Sequence, residues 1–238
     1  MSSVNRRHFI NRSVAAGAAA SATLAVRSAR AYKANERVVV GVMGLSRGVS
    51  LCRQFVTKKN VEIKYVCDVD SNRAAACAQT VQGISGTAPQ TIGDFRKILD
   101  DKSIDALVCA APNHWHAPAT ILACKAGKHV YVEKPCSHNP HEGELMVQAA
   151  RRHKRAVQMG TQRRSGATYQ EGISRLHEGV IGQVYSARAF YASLRGETGK
   201  TQPAAVPKHL NYDLWQGPAP RTPYATNRVP YKWHWFWH

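Results

Sequence analysis

The chain has 238 residues, of which 44% are hydrophobic and 8% aromatic, as in an ordinary globular protein of one or two domains. It contains no stretch of eighteen or more apolar residues, which excludes a membrane-spanning helix in the sequence, so we expect no membrane partner. The formal charge is +18, but five of the positive charges fall within the first 31 residues and no stacking aromatic residues interleave the others, so we expect no nucleic-acid partner.

The first 31 residues carry the features of an export signal. Asn5 to Ile10 reads Asn-Arg-Arg-His-Phe-Ile and resembles the twin-arginine signature, an alanine-rich apolar stretch runs from Val14 to Val26, and Ala29 to Ala31 offers a small-x-small cleavage site. We therefore expect a signal peptide over residues 1–31, recognition by the twin-arginine export machinery, and a periplasmic or otherwise exported protein. The alternative is an amphipathic or disordered basic tail.

Beyond the signal, strand and helix patterns alternate along the chain. We predict strands over Arg37 to Val42, Val61 to Cys67, Ile104 to Ala110, Lys128 to Val132 and Ala156 to Met159. The predicted helices cover Val49 to Thr57, Asn72 to Gln79, Asp94 to Leu99, Ala117 to Lys125 and His141 to Arg152. This alternation predicts an α/β domain over residues 36–160, a doubly wound parallel sheet of the Rossmann type that binds ligands at the carboxyl ends of its strands.

The character of the sequence changes after residue 160. Gln183 to Tyr191 alternates like a strand, Glu197 to Arg228 is rich in Pro, Gly, Asn and Thr, and three tryptophans recur at the period of a strand from Trp233 onward. We therefore predict that residues 161–238 form the start of an α+β substrate and oligomerisation domain.

Six cysteines are scattered through the predicted elements without a C-x-x-C pair. We expect buried free thiols rather than a disulfide framework or a zinc site, and no metal site elsewhere, including the His114 and His116 pair. The cysteines are Cys52, Cys67, Cys77, Cys109, Cys124 and Cys136.

A glycine-containing turn follows the first predicted strand and reads Gly41-Val-Met-Gly44-Leu-Ser46-Arg47-Gly48. Glycines in such a turn let a pyrophosphate approach the N-terminus of the next helix, where free N–H groups point outward. The spacing is G-x-x-G-x-x-x-G rather than G-x-G-x-x-G. Taken alone, the pattern therefore predicts either a cofactor site formed by Gly41, Gly44, Ser46, Arg47 and Gly48 or a purely structural turn.

Asp68 follows the second predicted strand, 24 residues after Gly44. A carboxylate at this place can accept the ribose hydroxyls of an adenosine and repels a 2′-phosphate, so Asp68 favours NAD over NADP. Arg73 keeps NADP open, because an arginine can pair with that phosphate. Alternatively, Asp68 or Asp70 caps the following helix.

Two motifs at later strand ends carry the strongest signal. Ala110 to His116 reads Ala-Ala-Pro-Asn-His-Trp-His, and the next predicted strand ends in Glu133-Lys134-Pro135. Their sequence and spacing resemble the glucose–fructose oxidoreductase/inositol dehydrogenase family, Gfo/Idh/MocA, over about residues 36–238, the first half of a typical member. The resemblance implies a Rossmann domain that binds NAD or NADP and an oxidoreductase that acts on sugar-like substrates.

The resemblance also implies roles for individual residues. Lys134 becomes the catalytic lysine, which hydrogen-bonds a substrate hydroxyl as hydride leaves for the nicotinamide, and a cis bond precedes Pro135. Cofactor contacts are implied for Ala111, Pro112, Asn113, His116, Glu133, Lys134, Pro135, Gln162 and Arg163. From the residues alone, Lys134 can instead be a surface lysine, the histidines of the first motif a helix cap, and the arginines at 163 and 164 solvated charges at a helix start.

Residues 211–220, Asn-Tyr-Asp-Leu-Trp-Gln-Gly-Pro-Ala-Pro, resemble a linker found in bacterial members of the family. Members also carry a second catalytic Asp or His beyond a tryptophan-rich strand like the one from Trp233, whereas this sequence stops at His238. We therefore expect an incomplete sequence, and a homo-oligomer at full length. The alternative is that the tryptophans form an oligomer contact or a sugar-stacking patch.

Together these features predict an NAD(P)-dependent oxidoreductase that transfers hydride between a nicotinamide cofactor and a sugar, cyclitol or sugar derivative. NAD is favoured over NADP, and the expected partner is a small sugar-like molecule. Two alternatives stay open. One is an NAD-dependent glycoside hydrolase of the same fold, which releases a free sugar without net NADH, and the other is a non-catalytic dinucleotide-binding module.

Overall fold

The computed structural model describes residues 37–194 and 196–236, so the predicted signal peptide lies outside the described residues. Six strands form one parallel sheet in the order β3-β2-β1-β4-β5-β6. The predicted α/β fold is thereby confirmed. The strands are β1 (Val38–Met43), β2 (Val61–Cys67), β3 (Gln90–Ile92), β4 (Ala106–Cys109), β5 (His129–Glu133) and β6 (Val157–Gly160).

Seven α-helices and two 3₁₀ helices connect and follow the strands in the described part of the chain. The α-helices are α1 (Gly48–Phe55), α2 (Ser71–Ser85), α3 (Arg96–Asp100), α4 (Asn113–Lys125), α5 (Pro140–Arg152), α6 (Ala167–His177) and α7 (Tyr212–Gln216). The 3₁₀ helices are Gln162–Ser165 and Lys232–Trp235.

Helices cover both faces of the sheet, and the strand residues that face them are therefore apolar. Five of the six residues of β1 are buried, as expected for a parallel strand packed on two sides. One core cluster contains Leu107, Val130 and Val132, and the opposite one contains Val42, Leu51 and Val66. All six cysteines are free thiols, as predicted, and five of them are buried within this framework.

The strand order reverses between β1 and β4. The chain moves outward through β2 and β3, then returns to place β4 beside β1, with Met43 paired to Cys109 at their carboxyl ends. Helices that follow strands on opposite sides of such a switch point diverge and leave a crevice at the carboxyl edge of the sheet. The topology therefore fixes where a ligand can enter.

Three predicted elements are corrected by the structure. Gln183 to Tyr191 forms no strand in the described part of the chain, and its side chains are exposed. The tryptophan-rich segment contains the 3₁₀ helix Lys232–Trp235 rather than a strand, while Trp237 lies outside the described residues. A strand is stabilised by hydrogen bonds to a neighbour, and periodicity alone cannot supply that neighbour. Helix α4 begins at Asn113 and not at Ala117, so the histidines of the first motif lie inside the helix.

Candidate functional site

A cavity of about 520 Å³ lies at the carboxyl edge of the sheet, at the switch point. This volume is within the range of sites that hold small ligands and cofactors. Twelve of the fifteen residues predicted to contact a cofactor line it. They are Gly44, Ser46, Arg47, Asp68, Ala111, Pro112, Asn113, His116, Glu133, Lys134, Pro135 and Gln162.

The other three predicted residues serve packing or surface contacts outside the cavity. A Cβ at Gly41 would lie 2.5 Å from the Ile98 side chain, so this glycine lets α3 pack on the sheet. Gly48 opens α1, where a Cβ would meet the Val42 side chain at 3.2 Å. Arg163 donates to the Tyr169 hydroxyl at 2.6 Å.

The glycine turn is held tightly between two strand ends. Gly44 has φ of +85°, and a Cβ there would lie 2.4 Å from the backbone nitrogen of Ala111. The Gly44 N–H donates to the Cys67 carbonyl at 2.9 Å, which ties the turn to the end of β2. Ser46 and Arg47 then line the cavity directly before α1 begins. A glycine-dependent turn followed by a helix N-terminus fits a pyrophosphate, because free backbone N–H groups there donate hydrogen bonds to an anion.

Asp68 joins the turn to the second strand. One carboxylate oxygen accepts the Leu45 N–H at 2.6 Å and the other accepts the Asp70 N–H at 2.9 Å. Burial raises the pKa of Asp68 above its ordinary value, and these two backbone hydrogen bonds oppose that shift. Asp68 thus lines the cavity without capping a helix. The capping role belongs to Asp70, whose side chain accepts the N–H groups of Asn72 and Arg73 in the first turn of α2.

Glu133 is the centre of a buried polar network at the end of β5. Only 5% of its side chain is exposed, and its Oε1 accepts Arg47 Nε at 3.0 Å and Gln162 Nε2 at 2.6 Å. Its Oε2 accepts the Lys134 N–H at 3.2 Å. A buried carboxylate needs such donors to offset its lost hydration. The network therefore joins the glycine turn to the ends of β5 and β6.

Lys134 lies exposed along the cavity, directly after this buried carboxylate. The Lys134–Pro135 peptide bond is cis, as the resemblance implied. His116 lies behind it with 1% of its surface exposed, and its ring nitrogens lie 2.5 Å from the Pro135 carbonyl oxygen and 2.8 Å from that of Ala111. The imidazole thus joins the two motifs into one unit, a role that neither the helix-cap interpretation nor the cofactor interpretation predicted.

The outer wall of the cavity comes from a distant segment, residues 209–234, that sequence reasoning did not assign to the site. The Asn211 N–H donates to the Val69 carbonyl at 2.9 Å, and Leu210 forms an antiparallel bridge with Asp70. The Trp115 indole donates to the Leu214 carbonyl at 3.0 Å. The members of this wall that line the cavity are Leu210, Leu214, Trp215, Val229, Pro230, Tyr231, Trp233 and His234. The one local signal for it was the linker-like pattern of residues 211–220.

Across the ranges 37–194 and 196–236, no group of three or more His, Cys, Asp or Glu side chains could hold a metal ion. Within the same ranges, every helix is too short or too polar to cross a bilayer.

Comparisons with known proteins match both parts of the chain. A family model for the oxidoreductase family, NAD-binding Rossmann fold (GFO_IDH_MocA), matches residues 36–161, and a model for the C-terminal alpha/beta domain of the oxidoreductase family matches residues 185–238. A glycosyl hydrolase family 109 protein of Saccharopolyspora erythraea is 32% identical over 176 residues, which cover 69% of this chain and 37% of that protein. Inositol 2-dehydrogenase of Salmonella paratyphi B is 28% identical over 146 residues, which cover 61% of this chain and 42% of the relative.

Among solved structures, myo-inositol 2-dehydrogenase from Lactobacillus plantarum is similar with a TM-score of 0.56 and 27% identity. The match covers 62% of this chain and 43% of that one. The chain thus spans less than half the length of the relatives that it matches.

Proposed function

Because the chain belongs to the Gfo/Idh/MocA family of oxidoreductases, we propose that its cavity holds NAD or NADP and serves hydride transfer to or from a sugar, cyclitol or sugar derivative. The order of the strands carries this proposal. Asp68 follows β2 and Lys134 follows β5, and β1 and β4 lie between them. At about 4.8 Å per strand, the two ends of the cavity lie about 14 Å apart, which suits an extended dinucleotide.

Each part of the cavity has a distinct task in this proposal. Asp68 accepts the ribose hydroxyls of the adenosine, which favours NAD over NADP, and the turn at Gly44 admits the pyrophosphate. The nicotinamide supplies the hydride acceptor or donor when it is bound. On oxidation Lys134, as the neutral amine, takes the proton of the substrate hydroxyl, and on reduction its ammonium returns that proton, so that charge does not accumulate on the substrate oxygen.

Glu133 fixes the geometry of the nicotinamide end of the cavity. Its carboxylate holds Arg47 of the glycine turn and Gln162 of the next strand end at once, so the two sides of the nicotinamide end stay at a fixed separation. The backbone N–H of Lys134 donates to the same side chain, which orients the strand end that carries the lysine. Such preorganisation is what positions a proton-transferring group for its substrate.

A second function is supported by the similarity to a glycosyl hydrolase family 109 protein. A hydrolase of this fold would oxidise its substrate to a ketone, eliminate the aglycone, add water to the resulting double bond and re-reduce the ketone on the same cofactor. The same lysine and the same dinucleotide cavity suit both reactions, because each begins with removal of hydride and proton from a carbinol.

One assay separates the two functions. The purified protein is given NAD or NADP with inositols, free sugars and aryl glycosides, while NADH absorbance and free aglycone are followed together. We expect NADH formation with an inositol or free sugar and no aglycone release. Aglycone release without net NADH would favour the hydrolase, and binding of neither cofactor in calorimetry would overturn the dinucleotide site itself.

We also propose that residues 1–31 direct the protein to the twin-arginine export route. The support is the order of arginine pair, apolar stretch and cleavage site in the sequence. Replacing both Arg6 and Arg7 by lysine keeps the charge but alters the motif, so we expect the exported fraction to fall to background while Arg12→Lys changes nothing. Unchanged export of the double variant would rule the route out.

A further inference from the structure

Three ionisable side chains meet beside Asp68 at the adenosine end of the cavity. Asp70 Oδ1 caps α2, and its Oδ2 lies 3.6 Å from Arg73 Nε and 3.7 Å from His209 Nε2. Asp70 and Arg73 line the cavity together with Asp68. The three side chains are 18%, 32% and 42% exposed, in the order Asp70, Arg73 and His209. A ligand in the cavity would therefore face the Asp70 carboxylate and the Arg73 guanidinium, with the His209 imidazole beside the same carboxylate oxygen.

Backbone contacts fix His209 at this position. The Ser71 N–H donates to the His209 carbonyl at 2.9 Å, and the next residue, Leu210, bridges Asp70 in antiparallel fashion. The Asn211 N–H then donates to the Val69 carbonyl, so residues 209–211 lie along the turn after β2. Backbone contacts thus keep His209 beside Asp70, next to the cavity-lining Leu210, and its place there does not depend on the side-chain contact alone.

The two contacts to Asp70 are longer than strong hydrogen bonds, so neither Arg73 nor His209 is held rigidly. Charge-assisted hydrogen bonds are about 2.7–2.9 Å long, whereas both contacts to Asp70 exceed 3.5 Å. Arg73 and His209 can therefore turn toward a stronger acceptor. A ribose 2′-phosphate is such an acceptor, with three oxygens and nearly two negative charges. It would also meet the negative charges of Asp68 and Asp70, and their repulsion opposes its entry.

We propose that Asp70 is a specificity-determining residue that favours NAD over NADP by holding the Arg73 guanidinium and the His209 imidazole at its carboxylate. The inference rests on the proposed function, because it assumes that the adenosine of a dinucleotide lies at Asp68. Loss of the Asp70 charge releases the Arg73 and His209 side chains, whose N–H groups can then donate to the 2′-phosphate, and removes one source of repulsion. Arg73 and His209 then serve as phosphate ligands.

Asp70→Asn tests this proposal with little disturbance of the fold, because asparagine is as good an N-cap as aspartate. Binding of NAD and NADP is measured by calorimetry on the purified protein at low salt. We expect NADP affinity to rise about tenfold, as for one gained charge-assisted hydrogen bond, while NAD affinity changes less than about twofold. The gain should shrink as salt is added, because the new pairs are partly exposed.

Two second-site variants identify the ligands. Adding Arg73→Gln or His209→Gln to Asp70→Asn should each remove a large part of the NADP gain and leave NAD binding unchanged. The matched control is Asp213→Asn, which removes one charge from an exposed aspartate that does not line the cavity. It should leave the ratio of NADP to NAD affinity unchanged.

Each alternative outcome is distinct. If Asp70→Asn binds NAD as before and gains no NADP affinity, or if the gain survives both second-site changes, the role of Asp70 is structural and the inference is wrong. An equal change in Asp213→Asn would show a general charge effect and would also overturn it. If the unchanged protein binds neither dinucleotide, the proposed function fails first and the inference fails with it.

Discussion

Replacing Lys134 by alanine is expected to lower kcat by about 10²–10⁴-fold on the inositol or sugar that the assay identifies as substrate, while NAD affinity stays within about twofold. The reason is that the side chain lies along the cavity after β5, where we propose that the substrate hydroxyl binds, whereas the proposed pyrophosphate and adenosine contacts follow β1 and β2, two and three strands away. Steady-state NADH formation and calorimetry with NAD measure the two quantities separately.

Two further lysine variants make this prediction specific. Lys134→Arg keeps a positive charge but cannot give up its proton at neutral pH, so we expect kcat to stay low while KM recovers toward the original value. Lys125→Ala removes an exposed lysine at the end of α4, outside the cavity, and should behave like the unchanged protein. Loss of NAD binding together with turnover in Lys134→Ala would assign the lysine to cofactor binding instead.

Replacing Gly44 by alanine is expected to lower the free energy of unfolding by about 3 kcal/mol or more and to reduce NAD affinity by more than about tenfold. A Cβ would lie 2.4 Å from Ala111 N and 2.5 Å from Ala110 C, and φ is +85°. The Ala110 N–H donates to the Met43 carbonyl at 2.7 Å, so the end of β4 cannot move away without breaking the sheet. Both strand ends carry residues that line the cavity.

The matched control for this prediction is Gly86→Ala. Gly86 also has a positive φ, +76°, but no atom lies within 4 Å of its Cβ position and it does not line the cavity. The Gly86→Ala variant should lose only about 1 kcal/mol of unfolding free energy, from the positive φ of the backbone, and should bind NAD normally. Thermal unfolding should show the difference, at roughly 2–4 °C for each kcal/mol in a chain of this size. Similar unfolding curves for the two variants would show that the approach of β1 to β4 is not the constraint.

For the glycine turn, the sequence predicted the local structure but not its role. Its spacing departs from the dinucleotide pattern, so the sequence could predict a turn there but could not choose between a structural and a binding role. A side chain at Gly44 would collide with the backbone of Ala110 and Ala111 beside the cavity, so the fold requires glycine there. Gly41 instead makes room for the Ile98 side chain. Which glycine approaches which backbone depends on how β1 and β4 pair, and no local pattern contains that distance.

The carboxylates after β2 make the same point. The sequence allowed Asp68 to face a ribose and allowed either Asp68 or Asp70 to cap a helix. The structure assigns the cap to Asp70 and ties Asp68 to the N–H of Leu45, because the turn of the glycine loop brings that amide over the end of β2. Both side chains line the cavity, and only the folded turn determines which of them also caps the helix.

His209 and the strand predicted over Gln183 to Tyr191 mark the limit of sequence reasoning. His209 contacts Asp70, which is distant in the sequence, and no local pattern around His209 predicts that contact. The second has the alternation of a strand but no strand structure in the described part of the chain. Alternation depends on which face of a segment is apolar, whereas a strand also needs a neighbour for its backbone hydrogen bonds.

By itself, the sequence determined the alternation of strands and helices, the free and buried state of the cysteines, and the two strand-end motifs that place Lys134 and Asn113. Those features depend on local composition and on the buried, two-sided environment of a parallel strand. Only the tertiary structure determined that Glu133 joins Arg47 to Gln162, that His116 joins the two motifs, and that residues 209–234 form the outer wall of the cavity. These are distances between strands and segments far apart in the chain, and they exist only once the sheet order β2-β1-β4-β5 has brought the carboxyl ends together.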